Sequence, residues 1–288
     1  MPSTASPYRF LLISAFDLAP TGRYQMRPRS GPKEMRLMNY ESVEPALRGV
    51  DWELHPGPVA PHGDWPVETR EEFVLVGAAR LPIVKEACDS GKFNGIALLG
   101  GGDPCFLEAR EIGHRYGVPV TSCAHSQMHL ASMLGDTFSI IDISEIHNMR
   151  MRDLVTQYGF ANRCTSIRNI NYPLPHPPYD DEYLLEAEKA KAVRGEPADI
   201  IDISMQHCIE AIEEDGAETL IIGCSALYWL RPILQQKLHE EGWQIPVLEG
   251  YRSAVEHLKL LVNLGISASS LSLPVERTAK WRRKKRVI

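Results

Sequence analysis

Two segments of the chain could each form the same kind of chemical site. The first runs from Ile96 to Cys105 and reads IALLGGGDPC, and the second runs from Leu220 to Leu227 and reads LIIGCSAL. Each pattern predicts a buried strand that ends in small residues and leads into a helix, where several backbone N–H groups converge on one anion. Cys224 stands at that point in the second segment, and Gly100 stands at the matching point in the first.

The thiol of Cys224 is the group best placed to react. A thiol at a strand end, beside helix N-terminal amides, is expected to have a lowered pKa and to be chemically useful. The alternative is a plain buried cysteine, since free cysteines are among the most buried residues. One such thiol suits a one-thiol reaction, whereas two facing thiols would move a proton from one face of a carbon to the other.

The composition is that of a globular protein. The 288 residues are 44% hydrophobic, which is enough for one large domain or two domains of ordinary size. The formal net charge of -6 gives no reason to expect a nucleic-acid partner. Basic residues are concentrated in the C-terminal run Lys280–Arg286, which we expect to be a solvated tail.

The N-terminus and the cysteines bear on the cellular compartment. The first apolar run, Phe10–Ile13, has the length of a strand, so we expect neither a signal peptide nor a membrane helix. The six cysteines include no CxxC pair, so neither a disulfide framework nor a thiolate metal site is predicted. A reducing cytoplasm fits this pattern best.

Short apolar runs alternate with amphipathic segments along almost the whole chain. The candidate strands are Arg9–Ser14, Asp51–Leu54, Asn94–Leu99, Pro119–Ser122, Thr137–Ile141, Thr165–Ile170, Thr219–Ile222 and Ile245–Leu248. Strands separated by helices predict parallel βαβ units, whose ligands bind beyond the carboxyl ends of the strands. The two halves echo one another, which indicates a duplicated unit with a cleft between the copies. Leu18–Pro32 and Asn171–Asp180 are predicted to be loops, and such loops over a cleft are often lids.

Several short motifs carry a resemblance to a known family. They are Gly102-Asp103-Pro104 with Ala109-Arg110-Glu111, the stretch Tyr158–Cys164 through Arg168, Glu214–Glu218, Ile222-Gly223-Cys224, and Leu264-Gly265-Ile266 with Ser269. Together they resemble the aspartate/glutamate/hydantoin racemase superfamily, and within it the hydantoin racemase branch. The resemblance covers most of the chain from about Gly95 onward.

The resemblance implies an α/β fold of two pseudo-symmetric parallel-sheet domains, with the active site in the cleft between them. The first domain would comprise residues 1–117 and 250–288, with the C-terminal helix returning to it, and the second residues 118–249. The reaction implied is cofactor-free: one thiolate removes a proton from a carbon next to a carbonyl, and a second thiol returns one to the opposite face. Cys224 corresponds to the second thiol, and Gly100 stands in place of the first.

The same resemblance indicates how a substrate would be held. Seven residues near the two strand ends are candidates for substrate binding: Gly100, Gly101, Gly102, Asp103, Cys123, Ser225 and Ala226. Glycines let the backbone approach an anionic substrate, and backbone amides stabilise the enolate-like oxygen that develops. Asp103 before Pro104 is also an ordinary helix N-cap.

The mouth of the predicted cleft departs from the family pattern. The first thiol is absent, and His125 stands where members of this branch commonly have an acidic residue. The first strand ends in Ser14-Ala15-Phe16-Asp17 instead of an Asn-Pro-Asn type of sequence. In relatives of the arylmalonate decarboxylase type, the first cysteine is likewise a glycine, and the lone cysteine protonates one face. The missing thiol therefore favours one-face protonation, decarboxylation or isomerisation.

Three residues could supply a second reactive group. Cys105 lies at the first turn of the helix after the glycine loop, where the dipole would acidify it, so it could replace the missing thiol. Cys123 is a weaker candidate of the same kind. His125 could pair with Cys224 as base and nucleophile, or it could only orient the substrate. His125 and His129 share a helix face, but no acidic residue completes a HExxH motif, so no metal is predicted.

Three functional hypotheses follow from these residues. The first is a cofactor-independent, hydantoin or amino-acid racemase-like enzyme that acts on a small anionic or cyclic-amide substrate with Cys224 as acid/base. The second is a hydrolase of a cyclic amide or related substrate that uses Cys224 and His125. The third is a binding protein that kept the cleft and lost the chemistry. For the enzymes, a homo-oligomer is the expected state.

Overall fold

Two parallel four-stranded sheets form the frame of the protein. The computed structural model describes residues 6–19, 24–177, 184–275 and 280, and within them eight strands pair, all of them in parallel. The strands are β1 (Tyr8–Ile13), β2 (Val50–His55), β3 (Gly95–Leu98), β4 (Val120–Ser122), β5 (Phe138–Asp142), β6 (Cys164–Asn169), β7 (Leu220–Ile222) and β8 (Val247–Leu248). Each predicted strand is present, with ends that differ by one or two residues.

The two sheets repeat one strand order. That order is β2-β1-β3-β4 in the first sheet and β6-β5-β7-β8 in the second. In each half the chain therefore starts at an inner strand, crosses to one edge, and returns to fill the other side. The repeated order confirms the predicted α/β fold of two pseudo-symmetric parallel sheets.

Helices connect the strands and cover the sheets. The described residues contain α1 (Lys33–Arg36), α2 (Tyr40–Leu47), α3 (Arg70–Asp89), α4 (Phe106–Arg115), α5 (Cys123–Leu134), α6 (Glu145–Gln157), α7 (Leu184–Val193), α8 (Asp199–Glu213), a 3₁₀ helix (Ser225–Leu230), α9 (Arg231–Glu240) and α10 (Gly250–Leu264). Local sequence explains their ends. Thr69 and Glu72 form a reciprocal capping box at the start of α3, and Gly265 ends α10 with a φ of 64°.

The boundary between the halves lies later in the chain than residue 117. Strand β4 pairs with β3, with Val120 opposite Ile96, so it belongs to the first sheet. The predicted second domain, residues 118–249, therefore includes a strand of the first sheet and is corrected here. A strand of three residues, Val-Thr-Ser, carries no signal of its pairing partner, and this is why the sequence does not indicate its sheet. Helix α10 packs on β3, β4, α2 and α5.

Buried side chains join the two halves. One continuous cluster includes Leu12 and Leu99 from the first sheet, Ile141 and Ile222 from the second, and Val255 from α10. Truncating a fully buried aliphatic side chain of this kind costs about 2–5 kcal/mol. The cleft between the sheets is thus anchored by packing at its base.

Some predicted segments fall partly outside the described residues. Residues 20–23 of the first predicted loop, residues 178–180 of the second and residues 281–286 of the basic run are not described. The described parts of both loops contain no strand, and they contain no helix. In the part of the chain that is described, no helix has both the length and the apolar character needed to cross a membrane.

Candidate active site

A cavity of about 810 Å³, open to solvent, lies between the halves at the carboxyl ends of the strands. Its polar and glycine lining consists of Ser14, Asp17, Gln25, Arg27, Gly100, Gly101, Gly102, His147, Cys224, Ser225 and Tyr251. Its apolar lining consists of Ala15, Phe16, Leu18, Met26, Met38, Val67, Phe73, Val76, Pro104, Leu174 and Ala226. The first predicted loop contributes Leu18 and Met26 to the apolar lining, and the second contributes Leu174. The cavity therefore combines polar groups and glycines with apolar side chains.

The glycine loop needs each of its three glycines. Gly100 has a φ of +119°, and a Cβ there would lie 2.8 Å from the Cβ of Ala15. A Cβ on Gly101 would lie 2.2 Å from the Gly223 carbonyl oxygen, and one on Gly102 would lie 2.2 Å from the ring of Phe73. The loop is consequently closed to any side chain, including a thiol at position 100.

Two buried side chains hold the strand ends that carry the loops. The guanidinium of Arg80 donates to the carbonyl oxygens of Ile13 (3.0 Å) and Leu99 (3.1 Å), which joins β1 to β3. The amide of Gln127 donates to Ile222 (2.9 Å) and Leu248 (3.1 Å), which joins β7 to β8. Burial lowers the pKa of Arg80 to about 10, so it still places a positive charge behind the glycine loop.

Cys224 lies where the second sheet meets the cavity. It follows β7 and caps the 3₁₀ helix, and only 4% of its surface is exposed. Burial, and then the charge of Asp142, raises the pKa of its thiol to about 12. The Ala226 amide donates a hydrogen bond to the sulfur, which by itself would lower the pKa. The predicted lowering of this pKa is therefore wrong, because desolvation outweighs the amide. At neutral pH the group is a thiol that can donate its proton.

Asp103 has a different task from the two predicted for it. Its carboxylate accepts hydrogen bonds from the Ser122 hydroxyl (2.7 Å), the amides of Ala124 (3.0 Å) and His125 (2.8 Å), and the Tyr158 hydroxyl (3.1 Å). It is fully enclosed and absent from the cavity lining. The Asp103 carboxylate thus caps α5 from across the loop, does not line the cavity and does not cap the helix that follows it.

The other two candidate thiols also lie outside the cavity. Cys123 is fully buried: its sulfur donates to the carbonyl oxygen of Leu98 at 3.6 Å and receives the Gly100 amide. Cys105 packs its sulfur against Gly77 of α3 and lines a separate pocket beside Arg150. Burial raises the pKa of both thiols, so the predicted acidification of Cys105 by the helix is wrong. Neither is in place to replace the missing first thiol.

His125 does not meet Cys224. Its ring lies 4.7 Å from that of Phe106, and its Nε2 is 3.0 Å from the Nε2 of His129. Burial, with the nearby charge of His129, lowers the pKa of His125 to about 2. The hydrolase hypothesis loses its base, because this buried imidazole does not line the cavity that Cys224 lines. Among the described residues, no three His, Cys, Asp or Glu side chains are placed to hold a metal ion.

Two residues of the site were not identified from the sequence. His147, in the first turn of α6, lines the cavity, and its Nδ1 lies 2.8 and 2.9 Å from the two carboxylate oxygens of Asp142. Asp142 ends β5 against the backbone of Gly223, where a Cβ would be 2.6 Å from Oδ1. The available signal was position: a carboxylate at the carboxyl end of an apolar strand lies where ligands bind.

Arg27 brings a positive charge to the same cavity. Its guanidinium donates to the Ser14 hydroxyl and to the carbonyl oxygens of Phe16 (2.9 Å) and Pro56 (2.5 Å), and it lies 4.0 Å from Asp17. Burial lowers its pKa, but an arginine remains charged at neutral pH. The cavity is therefore suited to negative charge.

Known proteins share this architecture. The chain is 28% identical over 211 residues to the hydantoin racemase of Pseudomonas sp. (strain NS671), which is 72% of this chain and 73% of that protein. The allantoin racemase from Klebsiella pneumoniae superposes with a TM-score of 0.66 at 22% identity, over 96% of this chain and 97% of its own. The glutamate racemase from Francisella tularensis subsp. tularensis SCHU S4, solved with D-glutamate, superposes with a TM-score of 0.53 at 10% identity, over 92% of this chain and 85% of its own.

These likenesses agree with the motifs and with the paired sheets. The two solved structures share the fold of two pseudo-symmetric α/β halves. The family described as Asp/Glu/Hydantoin racemase matches residues 67–258, a range that contains the glycine loop, Asp142, His147 and Cys224. That range is two thirds of the sequence, and the chain belongs to the Asp/Glu/hydantoin racemase family.

Proposed function

We propose that this protein is a cofactor-independent enzyme that transfers protons at a carbon next to a carbonyl group, as a hydantoin or allantoin racemase does. Cys224 is the acid/base that exchanges a proton with that carbon. The observation that carries the proposal is the position of its thiol, which lines the cavity where the backbones of the two loops touch. Membership of the racemase family supports the same class of reaction.

The backbone around the cavity suits the charge that such a reaction creates. Removing a proton from the carbon places negative charge on the carbonyl oxygen, and stabilising that charge is usually the largest contribution to the rate. Within the described residues, none of the hydrogen bonds uses the amides of Gly101 or Gly102. These amides, with that of Ser225, are the donors we assign to the oxygen. Arg27 and Arg80 add positive charge around it.

The lining also limits the substrate. Apolar side chains form much of the wall, including Phe16, Met38, Phe73 and Leu174. A cyclic amide or a small anion with an apolar substituent fits this lining. Its polar head would lie at the glycine and cysteine loops, and its substituent would lie against the apolar side chains. The acid/base and oxygen-binding groups all come from the chain, so the proposed reaction needs no cofactor.

A single-thiol reaction is the second candidate. The observation that favours it is that Gly100 has no room for the side chain that a first thiol would need. If Cys224 is the sole proton carrier, the enzyme protonates one face of its substrate, as in a decarboxylation or an isomerisation. Both candidates require the Cys224 thiol, and they differ in whether both hands of a substrate react.

Proton NMR in heavy water tests the proposal. The panel consists of substituted hydantoins, amino acids and 2-substituted malonates, incubated with the intact protein, Cys224→Ser and the matched control Cys105→Ser. We expect loss of the C–H signal or a deuterated product with the intact protein and the control, and a rate about 1,000-fold lower with Cys224→Ser. Ring opening without deuterium uptake would instead support a hydrolase, and binding without turnover a binding protein.

A further inference from the structure

Asp142 and His147 form a buried pair in the cavity that Cys224 lines. The imidazole is 4% exposed, and it is held on one side by the Asp142 carboxylate and on the other by Phe73, with ring centroids 6.2 Å apart. Asp142 in turn lies against Gly223, the residue before Cys224. The pair is therefore built into the strand ends that carry the thiol, and is not a chance surface contact.

The hydrogen bond to Asp142 determines which nitrogen of His147 is available. A carboxylate can only accept, so Nδ1 is the nitrogen that carries the proton. The neutral imidazole then keeps its lone pair on Nε2. A buried carboxylate that holds an imidazole in this tautomer is the arrangement by which histidine serves as a general base.

Among the described residues that line the cavity, the other polar side chains offer no base for the proposed reaction. Cys224 retains its proton at neutral pH, Arg27 is a cation, and Asp17 is paired with Arg29 at 2.8 Å. Burial raises the pKa of Tyr251. Of the described residues that line the cavity, His147 is the one with an imidazole, the side chain that most often serves as a general base.

We propose that His147, oriented by Asp142, is the base that removes the proton from the substrate carbon, and that Cys224 returns a proton to it. This inference rests on the proposed function. The C–H bond breaks, its proton goes to Nε2, and the electron pair moves onto the carbonyl oxygen. The S–H proton of Cys224 then forms the new C–H bond, which leaves a thiolate and an imidazolium. Proton transfer from the imidazolium to the thiolate restores both groups, and no other reactant is needed.

Glu68 is the rival base. Its carboxyl group lies close enough to both His147 and Cys224 for its charge to act on them, and burial raises its pKa. It does not line the cavity, however. Arg150 contacts the same Phe73 ring, with its guanidinium carbon 5.1 Å from the ring centroid. Among the described residues, these contacts place Asp142, Glu68 and Arg150 as the charged groups around His147. Glu68→Gln is the matched control for His147→Gln.

The test measures the rate of deuterium exchange of the substrate C–H at pH 7.5. We expect His147→Gln to lower this rate at least 100-fold, as for loss of a general base, and Glu68→Gln to leave it within twofold. Asp142→Asn, a change to a positioning residue, should lower the rate at least 10-fold because an amide can stabilise the wrong tautomer. Added imidazole should restore activity to His147→Ala, which a merely structural role does not predict.

The outcomes separate this inference from the proposed function. If Cys224→Ser abolishes exchange while His147→Gln retains it within twofold, the base is overturned and the proposed function stands. Loss of exchange in Glu68→Gln alone would assign the base to that carboxyl group. A check without substrate is ¹⁵N NMR of the histidines at pH 7.5, assigned with His147→Gln. We expect the proton of His147 on Nδ1, and a proton on Nε2 instead would overturn the inference.

Discussion

The carbonyl oxygen of Gly223 lies 2.2 Å from the point at which Gly101 would carry a Cβ atom. The same point is 3.0 Å from the Cα of Cys224. The glycine loop of the first half and the cysteine loop of the second thus touch through their backbones, with no side chain between them. This contact sets the distance between the thiol and the amides that we assign to the developing anion.

Replacing Gly101 with Ala should force the two loops apart. We expect unfolding to become easier by about 1–3 kcal/mol, as for other overpacked sites. We expect kcat/KM to fall about 100-fold, because a displacement of about 1 Å can misalign a reacting group that severely. Urea unfolding and steady-state kinetics check both. Gly216→Ala is the control, since its Cβ meets open space; its left-handed φ costs stability, but its kcat/KM should match the intact protein.

Replacing Gly100 with Cys should not create a working second thiol. The φ of +119° is one that residues with a Cβ rarely adopt, and Ala15 leaves only 2.8 Å for that atom. We therefore expect loss of stability and no rise in the rate of exchange at the second face. Chiral analysis of the product, with thermal unfolding beside it, measures both. A stable variant that racemises its substrate faster would show that the loop can adapt to a side chain at position 100.

Replacing His125 with Phe should leave catalysis intact and change the response to acid. The pKa of His125 is about 2 in the folded chain, whereas 6.5 is the ordinary value for a histidine and applies to the unfolded chain. The unfolded chain therefore binds more protons than the folded chain as the pH falls below 6.5. The free energy of unfolding is therefore not reduced by this residue above pH 6.5, and it declines as the pH falls from 6.5 towards 2. Between pH 7.5 and pH 5 the intact protein should lose about 2 kcal/mol more than the variant.

Urea titrations at the two pH values give that difference for His125→Phe. The control is His239→Phe, on an exposed imidazole, whose pH dependence should follow that of the intact protein. Parallel curves for the intact protein and His125→Phe would refute the buried neutral imidazole. A loss of kcat/KM beyond twofold in the same variant would return His125 to the chemistry.

Replacing Glu72 with Gln should lower the free energy of unfolding at neutral pH, and the loss should be smaller in acid. Burial raises its pKa, but hydrogen bonds from the Thr69 amide, the Trp65 indole and the Glu68 amide outweigh it and lower the pKa to about 2. The stabilisation is complete above pH 4.5 and is lost as the pH falls through about 2. At pH 7 we expect the variant to be less stable by about 3 kcal/mol.

In urea unfolding, the difference in stability between the intact protein and Glu72→Gln should stay near its full value from pH 6 to about pH 5 and then narrow down to pH 3. Glu71→Gln is the matched control, because Glu71 is the exposed neighbour in the same helical turn. Its stability should stay within about 0.5 kcal/mol of the intact protein, as for most surface substitutions. A constant gap for Glu72→Gln across that range would contradict the capping carboxylate.

The sequence predicts the two strands that lead to the cavity loops well because each is marked twice, by an apolar run and by the small residues that follow it. Leu220–Ile222 before Gly223, and Ile96–Leu99 before Gly100, show this pattern, and both become strand ends at the cavity. Pairing partners are not marked in this way. The prediction for strand β4 is therefore wrong, since a strand as short as Val-Thr-Ser fits either sheet.

The site is less predictable, because burial depends on the whole fold. The amides around Cys224 are local and were predicted, but the desolvation that raises its pKa comes from packing of both halves. Cys105 begins a helix as predicted, yet its side chain packs on α3, a contact that no spacing reveals. The sequence does not identify His147, because its partner Asp142 lies five residues earlier. The turn from β5 into α6 brings the two side chains together.

The most direct test of the central claim is the mass and deuterium content of product formed from one enantiomer in heavy water. We predict a product with one solvent deuteron on the carbon next to the carbonyl and no added water, and we predict that Cys224→Ser forms none of it. A product that has gained water and retains its original C–H, with a covalent adduct trapped on Cys224, would contradict proton transfer and establish nucleophilic hydrolysis.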